Sequence, residues 1–163
     1  INQAMIAGLE RLKASGIQVI WQTGKIYYQD ALKAYEPYLC DEIKVTDFLS
    51  RMDYAYAVAD LVVSRAGASS ISELSLLGKP SILVPSPNVA EDHQTHNARA
   101  LSDKGAAILV RDVEAVDTMV DTALATIASK EKLQSLSDNV LKLAYPNSAE
   151  KIVNEILKLG NKE

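Results

Sequence analysis

Short apolar runs alternate with longer segments of helical spacing along almost the whole chain. The runs are rich in β-branched residues and are bounded by turn-forming residues, which is typical of buried strands. They predict strands at residues 17–22, 41–48, 61–64, 81–85 and 106–110. Apolar positions at i, i+3 and i+4 predict helices at residues 2–15, 26–36, 51–59, 69–78, 93–103, 113–128, 130–143 and 147–159. Strands that alternate with single helices predict an α/β fold, with a Rossmann-like parallel sheet and helices on both faces.

The first predicted element is a helix, at residues 2–15, and no strand precedes it. In a doubly wound sheet the first strand is usually central, and its loss would leave two unpaired sheet edges. The pattern therefore indicates that the first strand is missing and that the chain is the remainder of a longer protein. Residues 1–163 show no linker or internal repeat, which predicts a single domain.

The charge balance narrows the function classes. The chain has 17 Lys and Arg against 21 Asp and Glu, a net charge of −4 at pH 7. An acidic chain without a basic cluster is a poor candidate for binding nucleic acid or an anionic lipid surface. Cys40 is the single cysteine, which favours a reducing cytoplasm. With two histidines and this one cysteine, a His/Cys metal site is not expected.

The strongest candidate site lies where the strand at 61–64 runs into the helix at 69–78. Gly67 would let the backbone turn tightly and approach a ligand. Ser69 or Ser70 would cap the helix, whose first N–H groups attract anions, and Arg65 adds a cation suited to phosphate. Glu73 could accept hydrogen bonds from both hydroxyls of a ribose. Ser70 and Glu73 also match an S-x-x-E capping box, and the pattern alone favours that simpler interpretation.

The second candidate site is the loop after the next strand. Asp92, His93, Gln94 and Asn97 place several hydrogen-bonding side chains at one helix start, and carboxamides and imidazoles suit sugar hydroxyls. Capping by Asp92 together with a solvated polar face explains the pattern about as well. A metal site at residues 91–93 ranks last, because consecutive helical residues do not share a face.

Other candidates carry weaker signals. Residues 23–25 follow the first predicted strand and could line the same sheet edge. Phe48 and Leu49 end the second strand and could present backbone and an apolar surface to a flat base, although Phe48 could equally belong to the core. Tyr54 and Tyr56 are interpreted as packing residues. The sequence contains neither a nucleophile elbow nor a D-x-D pair that would hold a metal-bound nucleotide sugar.

Taken together and in this order, the two loops resemble one family. It is the carboxyl-terminal, donor-binding domain of the bacterial peptidoglycan N-acetylglucosaminyltransferases, in glycosyltransferase family 28 with the GT-B fold. Those enzymes transfer N-acetylglucosamine (GlcNAc) from UDP-GlcNAc to a lipid-linked muramyl-pentapeptide. The likeness covers nearly the whole chain. Its segments are residues 21–25, 45–48, 59–60, 64–68, 73–74, 78–80, 84–85, 92–94, 97–98 and 105–107.

The resemblance implies a role for each matching residue. The ring of Phe48 and the backbone of Leu49 would flank the uracil, Arg65 would lie near the nucleotide, and Glu73 matches the ribose-binding carboxylate. The helix start would meet the diphosphate, and the second loop would contact the GlcNAc hydroxyls. Relatives commonly carry Gln in place of His93, so the resemblance supports a sugar contact from Gln94 more strongly. The residues implied in UDP-GlcNAc binding are Phe48, Leu49, Arg65, Gly67, Ala68, Ser69, Ser70, Glu73, His93, Gln94 and Asn97.

The resemblance also implies parts that these residues do not contain. The family's Gly-Gly-Ser-x-Gly-Ala phosphate loop, the strand before it and the amino-terminal acceptor domain would precede Ile1. The catalytic base and the membrane-facing patch are expected in that domain, so the catalytic residues are unknown from this sequence. The implied reaction is an inverting displacement at the anomeric carbon without a cofactor or a protein-held metal. The full-length protein would be cytoplasmic and peripheral on the inner membrane.

Three alternatives remain open at this point. The same fold could serve a UDP-GlcNAc 2-epimerase, another glycosyltransferase with the GT-B fold, or a non-catalytic UDP-sugar-binding module.

Overall fold

The computed structural model describes residues 1–87 and 92–160. Within these ranges all five predicted strands are present, and each is shorter than its apolar run. The strands are β1 (Val19–Gln22), β2 (Ile43–Thr46), β3 (Val62–Ser64), β4 (Ser81–Leu83) and β5 (Ile108–Leu109). The helices are α1 (Asn2–Ala7), α2 (Leu9–Ser15), α3 (Tyr28–Tyr35), α4 (Met52–Val58), α5 (Ala68–Leu77), α6 (His93–Ser102), α7 (Ala115–Ile127), α8 (Lys130–Leu141) and α9 (Ser148–Gly160).

The strands pair in parallel, as predicted, but they form two sheets rather than one. β1 pairs with β2, and β4 lies between β3 and β5. In the part of the chain that the structure describes, β1 and β3 therefore each have one edge without a partner strand. The doubly wound order places a central strand between strands in these two positions.

One hydrophobic core joins the two sheets. Trp21 of β1 and Ile43 of β2 are buried in the same cluster as Ile82 of β4. Helices α2 and α7 contribute Leu9 and Met119 to this cluster. Both sheets thus lie under one layer of helices, and the burial of apolar surface links them where strand pairing does not.

A second core covers the other face of the three-stranded sheet. Side chains alternate between the two faces along a strand, so Leu83 lies in this second cluster although its neighbour Ile82 lies in the first. Leu74 of α5, Leu101 of α6 and Val140 of α8 complete the cluster. Helices therefore cover both faces of this sheet, which confirms the predicted α/β architecture.

The helix predicted at residues 2–15 is divided in two at Gly8, where φ is −98° and ψ is 0°. A Cβ added to Gly8 would lie 2.4 Å from Cγ2 of Val120, which is almost fully buried on α7. The helical spacing in the sequence is continuous across this position and gives no sign of the break. The close approach of α7 leaves room here for glycine alone.

The last helix, α9, has a strongly amphipathic pattern. Its apolar residues are exposed: Ile152, Val153, Ile156, Leu157 and Leu159. Among the described residues, no helix has both the length and the apolar character that crossing a bilayer requires.

Gly8→Ala is expected to lower the free energy of unfolding by about 1–3 kcal/mol, because the new methyl group would overpack the contact with Val120. Urea denaturation of the full chain measures this change. Gly67→Ala is the matched control, because Gly67 has φ −69° and ψ 148° and an added Cβ would meet no atom within 4 Å. Equal stability of Gly8→Ala and the wild type would contradict the packing described here.

Candidate functional site

The two predicted candidate sites lie at one edge of the three-stranded sheet. β3 and β4 are parallel neighbours, so the loops that leave their carboxyl ends run side by side. Hydrogen bonds tie these loops to α6. Asn97 Nδ2 donates to the carbonyl of Ala66 at 3.1 Å, and the N–H of Ser86 donates to Gln94 Oε1 at 2.9 Å. The structure therefore joins the two groups of residues into one candidate site.

Helix α5 begins earlier than the sequence suggested. Gly67 occupies the N-cap position, and among the described residues no side chain caps this helix. The N–H of Ile71 bonds to the carbonyl of Gly67 at 3.0 Å. The predicted cap by Ser69 or Ser70 is therefore wrong, and so is the capping box, because both serines already lie within the first turn. A first turn without a side-chain cap offers its N–H groups, and the positive end of the helix dipole, to an anion.

The backbone conformation at position 67 does not require glycine. Its φ of −69° and ψ of 148° are extended values that any residue adopts, so the predicted need for glycine in this connection is wrong. The space where a Cβ would lie is open, with no heavy atom within 4 Å. A close approach of a ligand to this backbone stays a prediction, and the open space is compatible with it.

Arg65 is held by three partners. Its Nη1 lies 3.1 Å from the carbonyl oxygens of Val84 and Pro85 and 2.5 Å from Oδ1 of Asp112. The side chain of Arg65 is 38% exposed and that of Asp112 is 30% exposed. Arg65 thus joins the ends of β3 and β4 to the segment after β5. Because Nη1 already has these partners, the structure does not test whether Arg65 also contacts a nucleotide, and that contact stays a prediction.

Glu73 lies on α5 and is exposed, and Tyr56 of α4 contacts its carboxylate. The phenol of Tyr56 donates a hydrogen bond to Oε2 of Glu73 at 3.0 Å. Burial, followed by the hydrogen bond and the negative charge of Glu73, raises the pKa of Tyr56 to about 12. The phenol is therefore neutral at physiological pH and acts as the donor.

The second loop lies only partly within the described residues. Residues 88–91 lie outside the described residues. The metal site considered at residues 91–93 includes Glu91, so it lies partly outside the described residues as well. Asp92 occupies the N-cap position of α6 with φ 53° and ψ 28°. Its Oδ1 accepts a hydrogen bond from Thr95 Oγ1 at 2.6 Å, and no side chain of the described residues caps the backbone of α6. The capping interpretation of Asp92 is therefore wrong. His93 is exposed at the start of α6.

The segment after β2 presents Phe48 to solvent. Its side chain is 63% exposed, so the alternative that placed it in the core is wrong. The N–H of Leu49 donates to Gln22 Oε1 at 3.0 Å, which ties this segment to the end of β1. At the same edge, Thr23 Oγ1 donates to the carbonyl of Thr46 at 3.2 Å. The surface near Phe48 is open to a flat ring, as a base-binding role would require.

Sequence reasoning missed two side chains that shape this site. Tyr56 was interpreted as a packing residue, and no local signal links it to Glu73, which lies on another helix 17 residues later. Asp112 follows β5 at the edge where parallel sheets bind ligands, so its position was a signal that could have identified it. Within the described residues, no group of three or more His, Cys, Asp and Glu side chains is placed to hold a metal ion.

Comparison with known proteins gives a consistent set of similarities. The family model described as "Glycosyltransferase family 28 C-terminal domain" matches residues 1–156. A relative from Parabacteroides distasonis is 53% identical over 163 residues, which is 100% of this chain and 44% of the relative. A relative from Bacteroides fragilis is 55% identical over 164 residues, covering 98% of this chain and 43% of the relative. Both are named UDP-N-acetylglucosamine--N-acetylmuramyl-(pentapeptide) pyrophosphoryl-undecaprenol N-acetylglucosamine transferase.

Two solved structures resemble the fold. The crystal structure of Acinetobacter baumannii MurG matches with a TM-score of 0.77 and 28% identity, covering 93% of this chain and 48% of that chain. A glycotransferase of kitacinnamycin matches with a TM-score of 0.61 and 20% identity, over 85% of this chain and 34% of that chain. The second match supports the fold alone. The chain spans less than half the length of the curated relatives described above.

The ion pair between Arg65 and Asp112 is expected to contribute about 1 kcal/mol, since both side chains are only about a third exposed. A double-mutant cycle with Arg65→Met and Asp112→Ala, followed by urea denaturation, measures the coupling. The pair between Arg11 and Asp121 is the control, with side chains 40% and 59% exposed and an expected coupling of about 0.3 kcal/mol. A coupling for Arg65–Asp112 no larger than for the control would contradict the geometry.

Proposed function

The chain belongs to the glycosyltransferase family 28 C-terminal domain family, and on this basis we propose that residues 1–163 form a single donor-binding domain. The donor is UDP-GlcNAc. The full-length enzyme transfers GlcNAc to a lipid-linked muramyl-pentapeptide, as the names of the similar proteins describe. The acceptor and the general base belong to an amino-terminal acceptor domain, with the enzyme peripheral on the cytoplasmic face of the membrane.

The observation that carries this proposal is the arrangement at the carboxyl end of β3. The first turn of α5, which no described side chain caps, lies at the same sheet edge as Arg65, and Glu73 follows on the same helix. An anion at the helix start would meet free N–H groups and the positive end of the dipole. Glu73, about one turn further along the helix, would accept hydrogen bonds from a ribose. This spacing fits a nucleoside diphosphate.

The remaining predicted residues fit the two ends of the donor. The exposed ring of Phe48 and the backbone of Leu49 would flank the uracil. Gln94 and Asn97 each use one end of the carboxamide to hold the loops together, and the other end can contact a sugar hydroxyl. His93 at the start of α6 would lie beside them.

The proposed chemistry needs no metal held by this domain. In an inverting displacement, an acceptor oxygen bonds to the anomeric carbon while the bond to the UDP oxygen breaks. Negative charge grows on the departing diphosphate. The helix holds the N–H groups at the start of α5 in fixed positions, so they would stabilise that charge without reorganising during the reaction. Arg65 adds positive charge nearby, partly balanced by Asp112.

Glu73→Ala is expected to weaken UDP binding by about tenfold or more, because a hydrogen bond to a charged group contributes about 1.5–3 kcal/mol. Isothermal titration calorimetry on the full-length protein measures the dissociation constant. Glu10→Ala is the control, since Glu10 is exposed on α2, away from the candidate site. Equal UDP affinity in the wild type and Glu73→Ala would count against the proposal.

Gly67→Ala is expected to weaken UDP binding without lowering the stability of the fold. Its methyl group would occupy the space that the diphosphate approaches, so UDP affinity should fall by about tenfold or more. The affinity for uridine, which has no phosphate, should change by less than about twofold, and the unfolding free energy should stay within about 0.5 kcal/mol. Wild-type UDP affinity in this variant would show that the phosphates bind elsewhere.

A further inference from the structure

The hydrogen bond between Tyr56 and Glu73 joins two helices that are not consecutive in the chain. Tyr56 is half-buried on α4, and its ring packs against the core that contains Leu74. Glu73 is exposed on α5, with Oε2 accepting from the phenol at 3.0 Å. A rigid, half-buried side chain therefore fixes a flexible, exposed one.

The direction of the hydrogen bond is set by the protonation of the two groups. The pKa of Tyr56 is raised to about 12, with burial as the largest cause, so the phenol keeps its proton. An ionised carboxylate only accepts hydrogen bonds. Oε2 is thus engaged by Tyr56, and Oε1 of this exposed side chain can still accept a hydrogen bond from a ligand hydroxyl.

We propose that Tyr56 is a positioning residue that gives the site its preference for a ribonucleotide. It holds the Glu73 carboxylate in the orientation that accepts hydrogen bonds from the ribose hydroxyls. The inference rests on the proposed function, because it takes UDP as the ligand and Glu73 as the residue that binds the ribose.

The physical advantage is pre-organisation. A free glutamate samples many rotamers, and ordering it on binding costs affinity. Tyr56 orders the side chain before the ligand arrives. A neutral phenol also leaves the negative charge of Glu73 in place, whereas a lysine or arginine partner would compete for the carboxylate as a counter-ion. The carboxylate therefore remains a strong acceptor for a hydroxyl group.

The same helix provides a matched control. Tyr54 lies two positions before Tyr56, and residues two apart on a helix do not face the same way. Tyr54 is 61% exposed, and its ring lies 3.8 Å from the guanidinium of Arg51. Tyr54→Phe therefore makes the same chemical change as Tyr56→Phe without reaching Glu73.

The test compares dissociation constants for UDP and 2′-deoxy-UDP on the full-length protein by isothermal titration calorimetry. The wild type should prefer UDP by about tenfold or more. In Tyr56→Phe the UDP affinity should fall by about threefold to tenfold while that of 2′-deoxy-UDP changes by less than twofold, so that the preference narrows. Tyr54→Phe should keep the wild-type preference.

Other outcomes overturn the inference in distinguishable ways. If Tyr56→Phe keeps the full preference, or weakens both nucleotides equally, Tyr56 does not position the ribose contact. If the wild type does not bind UDP, or binds both nucleotides equally, the proposed function or its assignment of Glu73 fails first. A Glu73→Ala background adds an independent check, because without a side-chain acceptor at position 73 Tyr56→Phe should have no further effect on the preference.

Discussion

The contacts of Arg65 are the interaction on which the candidate site depends. One nitrogen of its guanidinium lies within hydrogen-bond distance of the carbonyls of Val84 and Pro85 and of the Asp112 carboxylate. Three neighbouring strand ends are thereby held in one arrangement. The start of α5 and the residues that directly follow β4 lie beside each other because β3 and β4 are paired. Arg65 holds these segments together beyond the ends of the two strands.

In this arrangement the candidate site combines backbone N–H groups with two pairs of interacting side chains. The N–H groups at the start of α5 are suited to receive an anion, while Asp112 partly balances the charge of Arg65. Tyr56 holds Glu73 in a similar way, with a neutral donor instead of a charged one. Arg65 and Glu73, two of the residues predicted to contact the donor, are thus each supported by a side chain from another element. Such supporting contacts reduce the cost of ordering side chains when a ligand binds.

Most of the fold could be predicted from the sequence, because the periodicity of apolar residues follows the secondary structure directly. The strands, the helices after residue 50 and the shared sheet edge are found where the pattern placed them. The break at Gly8 was not predictable from the continuous helical spacing, and the contact that leaves room there only for glycine is with Val120, more than a hundred residues away. The cap of α5 was also missed. Serine is a common N-cap, but Gly67 takes that position in an extended conformation, so the serines fall inside the helix. Tyr56 could not be identified, because its contact with Glu73 is tertiary.

A crystal structure of the full-length protein with UDP bound would test the proposed donor site most directly. A phosphate oxygen should lie about 3 Å from the backbone nitrogen of Ser69 or Ser70. A ribose hydroxyl should donate a hydrogen bond to Oε1 of Glu73, with Tyr56 still donating to Oε2. A structure in which the diphosphate lies away from the start of α5, and the ribose does not reach Glu73, would show that the donor binds elsewhere.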